Sequence, residues 1–471
     1  MNNSTIAAIS TPVGHGGIGI IRLSGPQAID IALSAFRPKV LHDPGAPSPL
    51  CRDNGFHPKS QRIYYGHMVD PGTHRILDEV LFFVMRAPRS YTAEDTAEIQ
   101  THAGDVVMRS ILDVLLNAGA RLAQPGEFTK RAFLSGRIDL TQAEAVVDII
   151  AARSERALDM AMSQISGRMK RTIHTLRDRI LDILVCMEAA IDFPDDVGET
   201  APAGDYADRL DHDILPELNE LVQAYTAENF LRDGLRIAII GGPNVGKSSL
   251  FNRLLNRDRA IVSDMPGTTR DFIEDSLVMR GIPVILTDTA GIRENADPLE
   301  RAGIEKAWQT IEKSDMVLFV MDAGYPVTAA DLERFEQLNA KKKILVINKI
   351  DLTETDILFV TPRQWADTPC VRISALQNSG IGQLKHLITT ISSSPLSGRR
   401  DRIVPNLRQK KLLEKTMAAV SDAATGLRRD NPVELACIDL KGAIDALSEV
   451  AGDNIRPDVL DGIFSRFCIG K

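Results

Sequence analysis

The sequence predicts a multidomain protein of the α/β plus α class, with a mostly parallel sheet in the middle of the chain. Three observations indicate this class. Short β-rich runs punctuated by Gly and Pro fill residues 1–137, and apolar residues at helical spacing begin near Thr141. Between residues 235 and 394, strand-like apolar runs alternate with helix-length segments, which is typical of a parallel sheet. The 471 residues suffice for about three domains.

The first region has strand-like runs at residues 18–23 and 80–85 and a Pro- and Gly-containing stretch at 38–60, which predicts a long surface loop. The helical region begins with residues 141–144 (TQAE), which fit a capping box because a hydroxyl and a carboxylate can bond the orphan amides reciprocally. Apolar residues continue at helical spacing, including Leu158, Met162, Ile165 and Met169.

Four apolar runs predict the strands of the α/β region, at residues 237–240, 284–286, 316–321 and 344–347. Helical periodicity returns after about residue 400. Because single amphipathic stripes flank the α/β region, the sequence predicts one discontinuous helical domain built from residues 138–233 and 397–471. The α/β domain, residues 234–396, is inserted between its two segments.

Composition and charge exclude several classes of protein. The chain has 55 Lys and Arg against 63 Asp and Glu, a net charge of −8, which argues against a general nucleic-acid binder but leaves room for a local basic face. The cysteines lack C-x-x-C spacing and predict reduced thiols: Cys51, Cys186, Cys370, Cys437 and Cys468. Without a basic leader or an apolar run near 18 residues, the sequence predicts a soluble, cytoplasmic protein that does not enter a membrane.

A phosphate-binding loop follows the first strand of the α/β region. Residues 241–248 (GGPNVGKS) match G-x-x-x-x-G-K-[ST] between a strand and a plausible helix. The glycines let backbone amides surround the β-phosphate, Lys247 reaches the β- and γ-phosphate oxygens, and the Ser248 hydroxyl ligates magnesium. The motif predicts nucleotide contacts from Asn244, Val245, Gly246, Lys247, Ser248 and Ser249.

Two further segments supply groups for magnesium and the γ-phosphate. Thr269 lies in a Gly-containing loop that could close on both, Asp288 could hold a magnesium-bound water, and the Gly291 amide could sense the γ-phosphate. The segments contribute Pro266, Gly267, Thr268, Thr269, Asp288, Thr289, Ala290 and Gly291.

A base-reading motif completes the series. Residues 348–351 (NKID) follow a predicted strand, so Asn348, Lys349 and Asp351 meet the nucleotide. The Asp351 carboxylate can accept hydrogen bonds from guanine N1 and N2, which adenine cannot supply. A backbone amide of Ser374 and Ala375 would support guanine O6. In series, these elements predict a GTPase.

The group that orients the attacking water is missing from its usual place. Ras-type proteins carry a glutamine directly after D-x-x-G, but this chain has Ile292 there, which cannot polarise water. The nearby acidic candidates are Glu294, Asp297, Glu300 and Glu305, and the residues alone do not choose among them.

Five segments carry a resemblance that runs the length of the chain: residues 11–22 (TPVGHGGIGIIR), 125–134 (PGEFTKRAFL), 188–194 (EAAIDFP), 288–294 (DTAGIRE) and 464–471 (FSRFCIGK). With the phosphate-binding loop, they make the chain similar to the MnmE (TrmE) family of tRNA-modification GTPases. The resemblance implies an N-terminal α+β dimerisation and folate-binding domain at residues 1–137, a discontinuous helical domain and an inserted Ras-like P-loop GTPase domain.

The resemblance also implies a function. A homodimer forms a heterotetramer with the FAD-binding protein MnmG (GidA) and adds a carboxymethylaminomethyl group to C5 of the tRNA wobble uridine, U34. A 5-formyl-tetrahydrofolate pocket supplies the one-carbon unit and would use Arg22, Glu98, Arg137 and Lys471. Arg137 departs from the family pattern, which often has Lys, but keeps the cation.

For the GTPase domain, the resemblance implies a potassium ion in place of an arginine finger. Its ligands would be Asn244, Ser263, the carbonyl of Met265 and Thr268, within a loop that also holds Asp264. Relatives often have Thr at position 263, and serine keeps the oxygen. By alignment, Glu300 is the carboxylate that positions water indirectly. Cys468 either faces the modification centre or is a small buried thiol.

Several alternatives stay open at this point. A basic face of Arg168, Lys170, Arg171, Arg177 and Arg179 could hold tRNA, but a solvated helix face is the favoured interpretation. A regulatory or ribosome-assembly GTPase is the second functional hypothesis, although such proteins usually append a basic RNA-binding module and this chain ends in amphipathic helix. A stand-alone one-carbon transferase leaves the GTP site unexplained.

Overall fold

A computed structural model describes residues 4–12, 16–39, 56–192, 202–255, 274–288, 311–338, 341–352, 360–392, 402–429 and 431–471. The chain divides into two compact units. Unit 1 comprises Met1–Val147, Lys170–His174 and Leu447–Lys471, and unit 2 comprises Asp148–Met169 and Thr175–Ala446.

Unit 1 is built on a seven-stranded sheet with the strand order β3-β4-β5-β6-β2-β1-β7. Its elements are β1 (Ile6–Ile9), β2 (Ile18–Ser24), α1 (Ala28–Ala35), β3 (Phe36–Pro38), β4 (Ile63–Val69), β5 (Ile76–Met85), β6 (Thr96–His102), α2 (Asp105–Asn117), β7 (Arg121–Leu122) and α3 (Glu127–Leu134). Neighbouring strands are antiparallel, except that β1 and β7 are parallel. The strands predicted at residues 18–23 and 80–85 are confirmed as β2 and the end of β5.

Alternation along the strands of unit 1 places one side of the sheet in its core. Ile21 and Leu23 of β2 are buried with Phe82 of β5 against Ile111 and Leu115 of α2. Burying such side chains stabilises the unit by about 1.5–3 kcal/mol each. Helices α1 and α2 therefore cover one face of the sheet, and on the other face Ile6 and Ala8 of β1 are buried with Phe128 of α3 in a second, smaller core.

The remaining elements run from the first helical segment through the α/β region to the C-terminal segment. They are α4 (Leu140–Ala151), α5 (Glu155–Ile165), α6 (Arg168–Asp192), α7 (Ala203–Arg209), a π-helix (Leu210–Ile214), α8 (Leu215–Asp233), β8 (Leu235–Gly241), α9 (Lys247–Leu255), β9 (Glu274–Met279), β10 (Ile282–Asp288), β11 (Met316–Asp322), α10 (Ala329–Glu336), β12 (Lys342–Asn348), a 3₁₀-helix (Arg363–Trp365), β13 (Cys370–Arg372), α11 (Ile381–Ser392), α12 (Leu407–Arg428), α13 (Val433–Ala451) and α14 (Pro457–Phe464).

The sheet of unit 2 has six strands in the order β13-β12-β11-β8-β10-β9. Only β9 and β10 pair antiparallel among these strands, so the predicted mostly parallel sheet is confirmed. Leu318 and Val320 of β11 pack on one side with residues of α9 and α11, whereas Val317 and Phe319 pack on the other with Phe335 of α10. Because both faces are covered, the strands read as continuous apolar runs in the sequence.

One local prediction in the helical region, the position of the capping box, is wrong, and one predicted helix buries a different face from its largest apolar residues. Helix α4 begins at Leu140, so its capping box uses Asp139: the Asp139 carboxylate accepts from the Gln142 amide at 2.8 Å, and Gln142 Oε1 accepts from the Asp139 amide at 3.0 Å. In α5, Leu158 is 41% exposed and Met162 is 52% exposed. The buried side of α5 consists of Ala157, Met160, Ala161 and Gln164, because small alanines let a helix approach its neighbours closely.

The last helix of unit 1 contributes to a small aromatic core. Leu460, Phe464 and Phe467 are buried with Leu140 and Ala143. The C-terminal residues therefore belong to the same compact unit as the N-terminal sheet. Within the described part of the chain, none of the helices combines the length and apolarity needed to cross a bilayer.

Candidate functional site

The phosphate-binding loop connects the buried strand β8 to helix α9 at the carboxyl edge of the parallel sheet. Gly246 has φ +97°, and a Cβ atom there would lie 2.2 Å from Asn348 Nδ2. Only glycine fits this position, because any side chain meets both the left-handed backbone and the buried amide. The close approach of Asn348 therefore explains why the motif has a glycine at position 246.

Lys247 and Ser248 are the first two residues of α9, directly after the phosphate-binding loop. Lys247 Nζ donates to the carbonyl oxygens of Gly241 at 3.0 Å and Gly242 at 2.7 Å, so the ammonium is held over the loop. Ser248 Oγ donates to Asp288 Oδ2 at 2.9 Å, and Asp288 is only 4% exposed at the end of β10. A hydroxyl and a carboxylate side by side form a hard oxygen donor set that fits magnesium.

Asn348 connects the phosphate-binding loop to the loop that follows β13, which contains Ser374 and Ala375. It is 2% exposed at the end of β12; its Nδ2 donates to the Val245 carbonyl at 2.9 Å and its Oδ1 accepts from the Ala375 amide at 3.0 Å. The buried amide is therefore satisfied on both sides, which fixes the distance between the two loops. Ser374 and Ala375, predicted from sequence to meet guanine O6, lie on the second of them.

Sequence reasoning missed Asp322, which ends strand β11 beside Asn348. Asp322 Oδ2 pairs with Lys349 Nζ at 2.8 Å, and Lys349 has φ +65°. The parallel register that sets Asp322 opposite Asn348 is the signal that could have found it.

The other predicted nucleotide contacts lie in the loops and on α9. Asp351 is half-buried in the turn after β12. Asn244 is exposed in the loop with φ +59°, and Val245 is buried beneath it, whereas Ser249 is exposed on α9.

Part of the predicted site lies outside the described residues. These residues are Ser263, Asp264, Met265, Pro266, Gly267, Thr268, Thr269, Thr289, Ala290, Gly291, Ile292 and the acidic candidates Glu294, Asp297, Glu300 and Glu305. Their assignments stay predictions.

In unit 1, a charged cluster gathers three of the residues assigned to the folate pocket. The antiparallel register of β2 and β6 sets Arg22 opposite Glu98, and Arg22 Nε donates to Glu98 Oε1 at 2.7 Å. Arg22 and Arg137 both lie against Tyr91, with guanidinium carbons 5.6 and 5.1 Å from its ring centroid. Arg137 Nη1 also donates to the Tyr91 carbonyl at 3.0 Å.

Tyr91 was missed by sequence reasoning, because nothing in a single sequence indicates that two distant arginines share one ring. Its hydroxyl lies 2.9 Å from Thr129 Oγ1. This contact holds the ring in place near both guanidinium groups, and such proximity to an aromatic ring is favourable for a cation. Two cations, a carboxylate that is 7% exposed and an aromatic face form a donor set suited to a flat ligand that carries carboxylates.

The C-terminal residues approach the first strand of the same unit. Gly470 has φ +89°, and a Cβ there would lie 2.4 Å from the Ile9 carbonyl oxygen. The Cys468 carbonyl accepts from the amides of Gly126 and Lys471, each at 3.3 Å. The Cys468 side chain is exposed, so the interpretation of it as a buried thiol is wrong. Lys471 thus lies next to β1, the strand paired with the strand of Arg22.

The basic residues considered for tRNA are engaged within the protein. Lys170 pairs with Asp453 at 3.6 Å, Arg177 with Asp178 at 3.2 Å and Arg179 with Glu217 at 3.1 Å. Such pairing is typical of a solvated helix face.

Comparison with known proteins decides the family. The MnmE helical domain model matches residues 140–468, and the model of the GTP-binding protein TrmE N-terminus matches residues 5–137. The chain belongs to the MnmE (TrmE) family of tRNA modification GTPases. Together the two models span most of the chain, in agreement with the resemblance seen in its motifs.

Relatives within the MnmE family match over their whole length. The tRNA modification GTPase MnmE of Carboxydothermus hydrogenoformans is 42% identical over 100% of both chains. That of Geobacillus thermodenitrificans is 42% identical over 99% of both. Among solved structures, Aquifex aeolicus Era bound to GDP and aluminium fluoride is 32% identical over 39% of this chain and 66% of its own, with a TM-score of 0.27, too low to support any argument.

Proposed function

We propose that this GTPase is the potassium-dependent GTP-hydrolysing component of a complex that adds a carboxymethylaminomethyl group to C5 of the wobble uridine, U34, of certain tRNAs. The observation that carries the proposal is the presence, in one chain of the MnmE family, of two separate sites. One is the hydrogen-bonded nucleotide site around Asn348, and the other is the charged cluster around Tyr91.

In the nucleotide site, Lys247 meets the β- and γ-phosphates, and Asp351, Asn348, Lys349 and the Ala375 amide select guanine. Ser248, Asp288 and Thr269 would hold magnesium, whose charge offsets that of the phosphates. The proximity of Ser248 Oγ and Asp288 Oδ2, 2.9 Å apart, supports this assignment.

Potassium would be held by Asn244, Ser263, the Met265 carbonyl and Thr268, and would supply positive charge near the γ-phosphate. Asn244 has a left-handed backbone conformation in the phosphate-binding loop, and its side chain is exposed. This exposure supports Asn244 as a potassium ligand, because its amide oxygen is accessible to an ion. Glu300 positions the attacking water indirectly, in the role that Ile292 cannot fill. Replacing Glu300 with Ala should lower kcat with little change in GDP affinity.

A salt exchange tests the potassium assignment. We expect GTP turnover to fall at least about tenfold, roughly 1.4 kcal/mol of barrier, when sodium replaces potassium at equal ionic strength. Asn244→Ala should remove most of this potassium response and leave GDP binding largely intact. Equal rates in the two salts would contradict the assignment.

The cluster around Tyr91 is proposed to bind 5-formyl-tetrahydrofolate or a related one-carbon folate, the donor in the modification. Arg22, Arg137 and Lys471 can pair with its glutamate carboxylates, and Glu98 can accept from the pterin N–H groups. Because Arg22 holds Glu98 at 2.7 Å, the carboxylate is already oriented. The exposed thiol of Cys468, two residues from the Gly470 contact with β1, is proposed to face the modification centre.

The proposed assembly is a homodimer that forms a heterotetramer with the FAD-binding protein MnmG (GidA), acts on tRNA and resides in the cytoplasm. Ile63, Tyr65 and Leu81 support a dimer through unit 1. They are 66%, 40% and 39% exposed on strands β4 and β5, and the register places Tyr65 opposite Leu81. An apolar patch of this kind marks an interaction surface.

Mass analysis of wobble nucleosides in tRNA separates the proposal from a regulatory or ribosome-assembly GTPase. Cells that lack the protein should lose the C5-modified uridine, and the wild-type gene should restore it. Unchanged nucleosides, with altered ribosome profiles, would favour the assembly hypothesis.

A further inference from the structure

Arg253 connects the helix of the phosphate-binding loop to the loop that follows β13. It lies on α9, and its guanidinium donates twice: Nε to the Ala375 carbonyl at 2.7 Å and Nη2 to the Leu376 carbonyl at 2.6 Å. The guanidinium is planar and rigid, so two of its N–H groups fix two successive carbonyls at once. No part of the GTPase machinery assigned above uses this side chain.

Ala375 is consequently held from two directions. Its amide donates to Asn348 Oδ1 at 3.0 Å, and its carbonyl accepts from Arg253. Asn348 in turn donates to the Val245 carbonyl in the phosphate-binding loop at 2.9 Å. The hydrogen bonds thus form a closed ring that runs from the phosphate loop through Asn348 and Ala375 to Arg253 and back along α9.

In the loop that follows β13, residue 376 is held only weakly by packing. Leu376 is 75% exposed, whereas Ser374 and Ala375 are 0% and 3% exposed. The two hydrogen bonds from Arg253 therefore supply the order that apolar burial does not supply at residue 376. Because Arg253 contacts neutral carbonyls and not a charged group, its effect is on orientation.

We infer that Arg253 is a positioning residue for guanine recognition: it holds residues 374–376 so that the Ala375 N–H, which donates to Asn348 Oδ1, is shared with guanine O6 in a three-centre hydrogen bond. The inference rests on the proposed assignment of Ala375 to O6 and of Asp351 to the N1 and N2 edge. Arg253 touches no reacting atom, so its loss acts on nucleotide affinity and not on the hydrolysis step.

The test is Arg253→Ala in the full-length protein, with Arg363→Ala as the matched control, because Arg363 is an exposed arginine of the same unit on the 3₁₀-helix. Arg253→Ala should raise the GDP Kd and the KM for GTP about tenfold, while kcat at saturating GTP changes less than twofold. Arg253→Lys, which keeps the charge but offers no planar pair of donors, should raise the Kd about threefold. Arg363→Ala should match the wild type.

A nucleotide without O6 separates positioning from a general loosening of the site. The 5′-diphosphate of 2-aminopurine riboside lacks O6 and the N1 proton, and its fluorescence reports binding directly. Its Kd should change less than twofold in Arg253→Ala, because the contact that Arg253 orients is absent from this ligand. Equal weakening of GDP and the 2-aminopurine nucleotide would overturn the inference in favour of a purely structural role.

Asp351→Asn distinguishes failure of the inference from failure of the base-site assignment. The amide introduced there can donate to the 2-oxo group of xanthine, so preference should shift from GDP to XDP. If that shift occurs and Arg253→Ala leaves the GDP Kd within twofold of the wild type, the inference alone is wrong. If the shift does not occur, the base-site assignment falls and the inference falls with it. Should Arg253→Ala fail to fold, an unchanged Kd in Arg253→Lys overturns the inference.

Discussion

The two units assemble their candidate sites in different ways. In unit 2, the site residues lie at the ends of β8, β10, β12 and β13 or directly after them, at the carboxyl edge of a mostly parallel sheet. In unit 1, Arg22 and Glu98 meet because β2 and β6 pair in an antiparallel register, and Arg137 and the C-terminal residues join them from other elements.

This difference explains why one site is readable from a single sequence and the other is not. Parallel strands deliver their carboxyl ends to one edge, so short motifs after successive apolar runs predict a shared site. An antiparallel register brings together residues that no local motif connects. Three perturbations test whether the two sites are as independent as their construction implies, and a fourth tests the ion pairs that stabilise unit 1.

The largest expected effect comes from removing Ile469, Gly470 and Lys471. The deletion removes the Gly470 contact with β1 and the proposed Lys471 cation, so 5-formyl-tetrahydrofolate binding should weaken and wobble-uridine modification should be lost. Potassium-dependent GTP hydrolysis should persist. Calorimetry with the folate, nucleoside analysis of tRNA and GTP turnover provide the three measurements, and unchanged modification would remove any catalytic role for these residues.

Gly246→Ala perturbs the other site. Because the added Cβ would lie 2.2 Å from Asn348 Nδ2 on a left-handed residue, GDP affinity should fall at least about a hundredfold, or 2.8 kcal/mol. Folate affinity should be unchanged. Gly382→Ala is the control, since a Cβ there meets nothing within 4 Å. Titration with a fluorescent GDP analogue measures the effect; near-normal binding in Gly246→Ala would show that the loop can rearrange.

Glu98→Gln should have a smaller effect, confined to unit 1. The substitution removes the charge that Arg22 pairs with and a proposed acceptor for the pterin, so the folate Kd should rise about tenfold, or 1.4 kcal/mol. Glu79→Gln, on β5, is a matched control at a carboxylate that is 44% exposed. Calorimetry measures the folate affinity of both variants. If Glu98→Gln binds folate as tightly as Glu79→Gln does, the pocket lies elsewhere. A changed GDP affinity in Glu98→Gln would contradict the independence of the sites.

The smallest expected effect is a pH dependence of stability in unit 1. Burial acts to raise the pKa of Glu127, but hydrogen bonds from Arg121, the Gln124 amide and Arg131 outweigh it and hold the pKa below its ordinary value of 4.5. The stabilisation is therefore present above the ordinary value and is lost as the pH falls through the lower folded value. Glu127→Gln should cost about 1 kcal/mol in urea unfolding at pH 7 and progressively less below pH 4.5. A constant difference across this range would assign the effect to packing.

The most apolar strands could be predicted because their burial requires runs of apolar residues, whereas β1, β3, β4, β6, β7, β9 and β13 were not singled out. The runs at 237–240 and 316–321 became β8 and β11 with bounds extended by only one or two residues. The stripe through Leu158 and Met162 correctly indicated a helix but not its buried face, since α5 packs through Ala157, Met160 and Ala161 and leaves Leu158 and Met162 exposed. A helix can bury either of two faces when both carry apolar groups, and only the neighbouring element decides which.

The same distinction applies to the sites. The positions of Lys247, Ser248 and Asn348 could be predicted because each lies at the carboxyl end of a strand or follows the loop after one, and their roles stay predictions. Tyr91 and Arg253 could not, because each acts by touching residues far away in sequence, 46 positions for Tyr91 with Arg137 and 122 for Arg253 with Ala375. Such contacts depend on the packed structure and have no signature in a single chain.

Unit 1 is built from segments that lie far apart in the chain, and this has a consequence for the synthesis of the protein. Its first segment ends at Val147, but its last begins only at Leu447, about 300 residues later. At roughly 5–20 residues per second, a ribosome needs about 15–60 s to make the intervening chain. Throughout that time the nascent N-terminal sheet lacks Phe464, Phe467 and the Gly470 contact with β1, whereas every strand of the unit 2 sheet is synthesised within the same interval. The order of emergence from the ribosome therefore makes the first part of the chain the last to be completed.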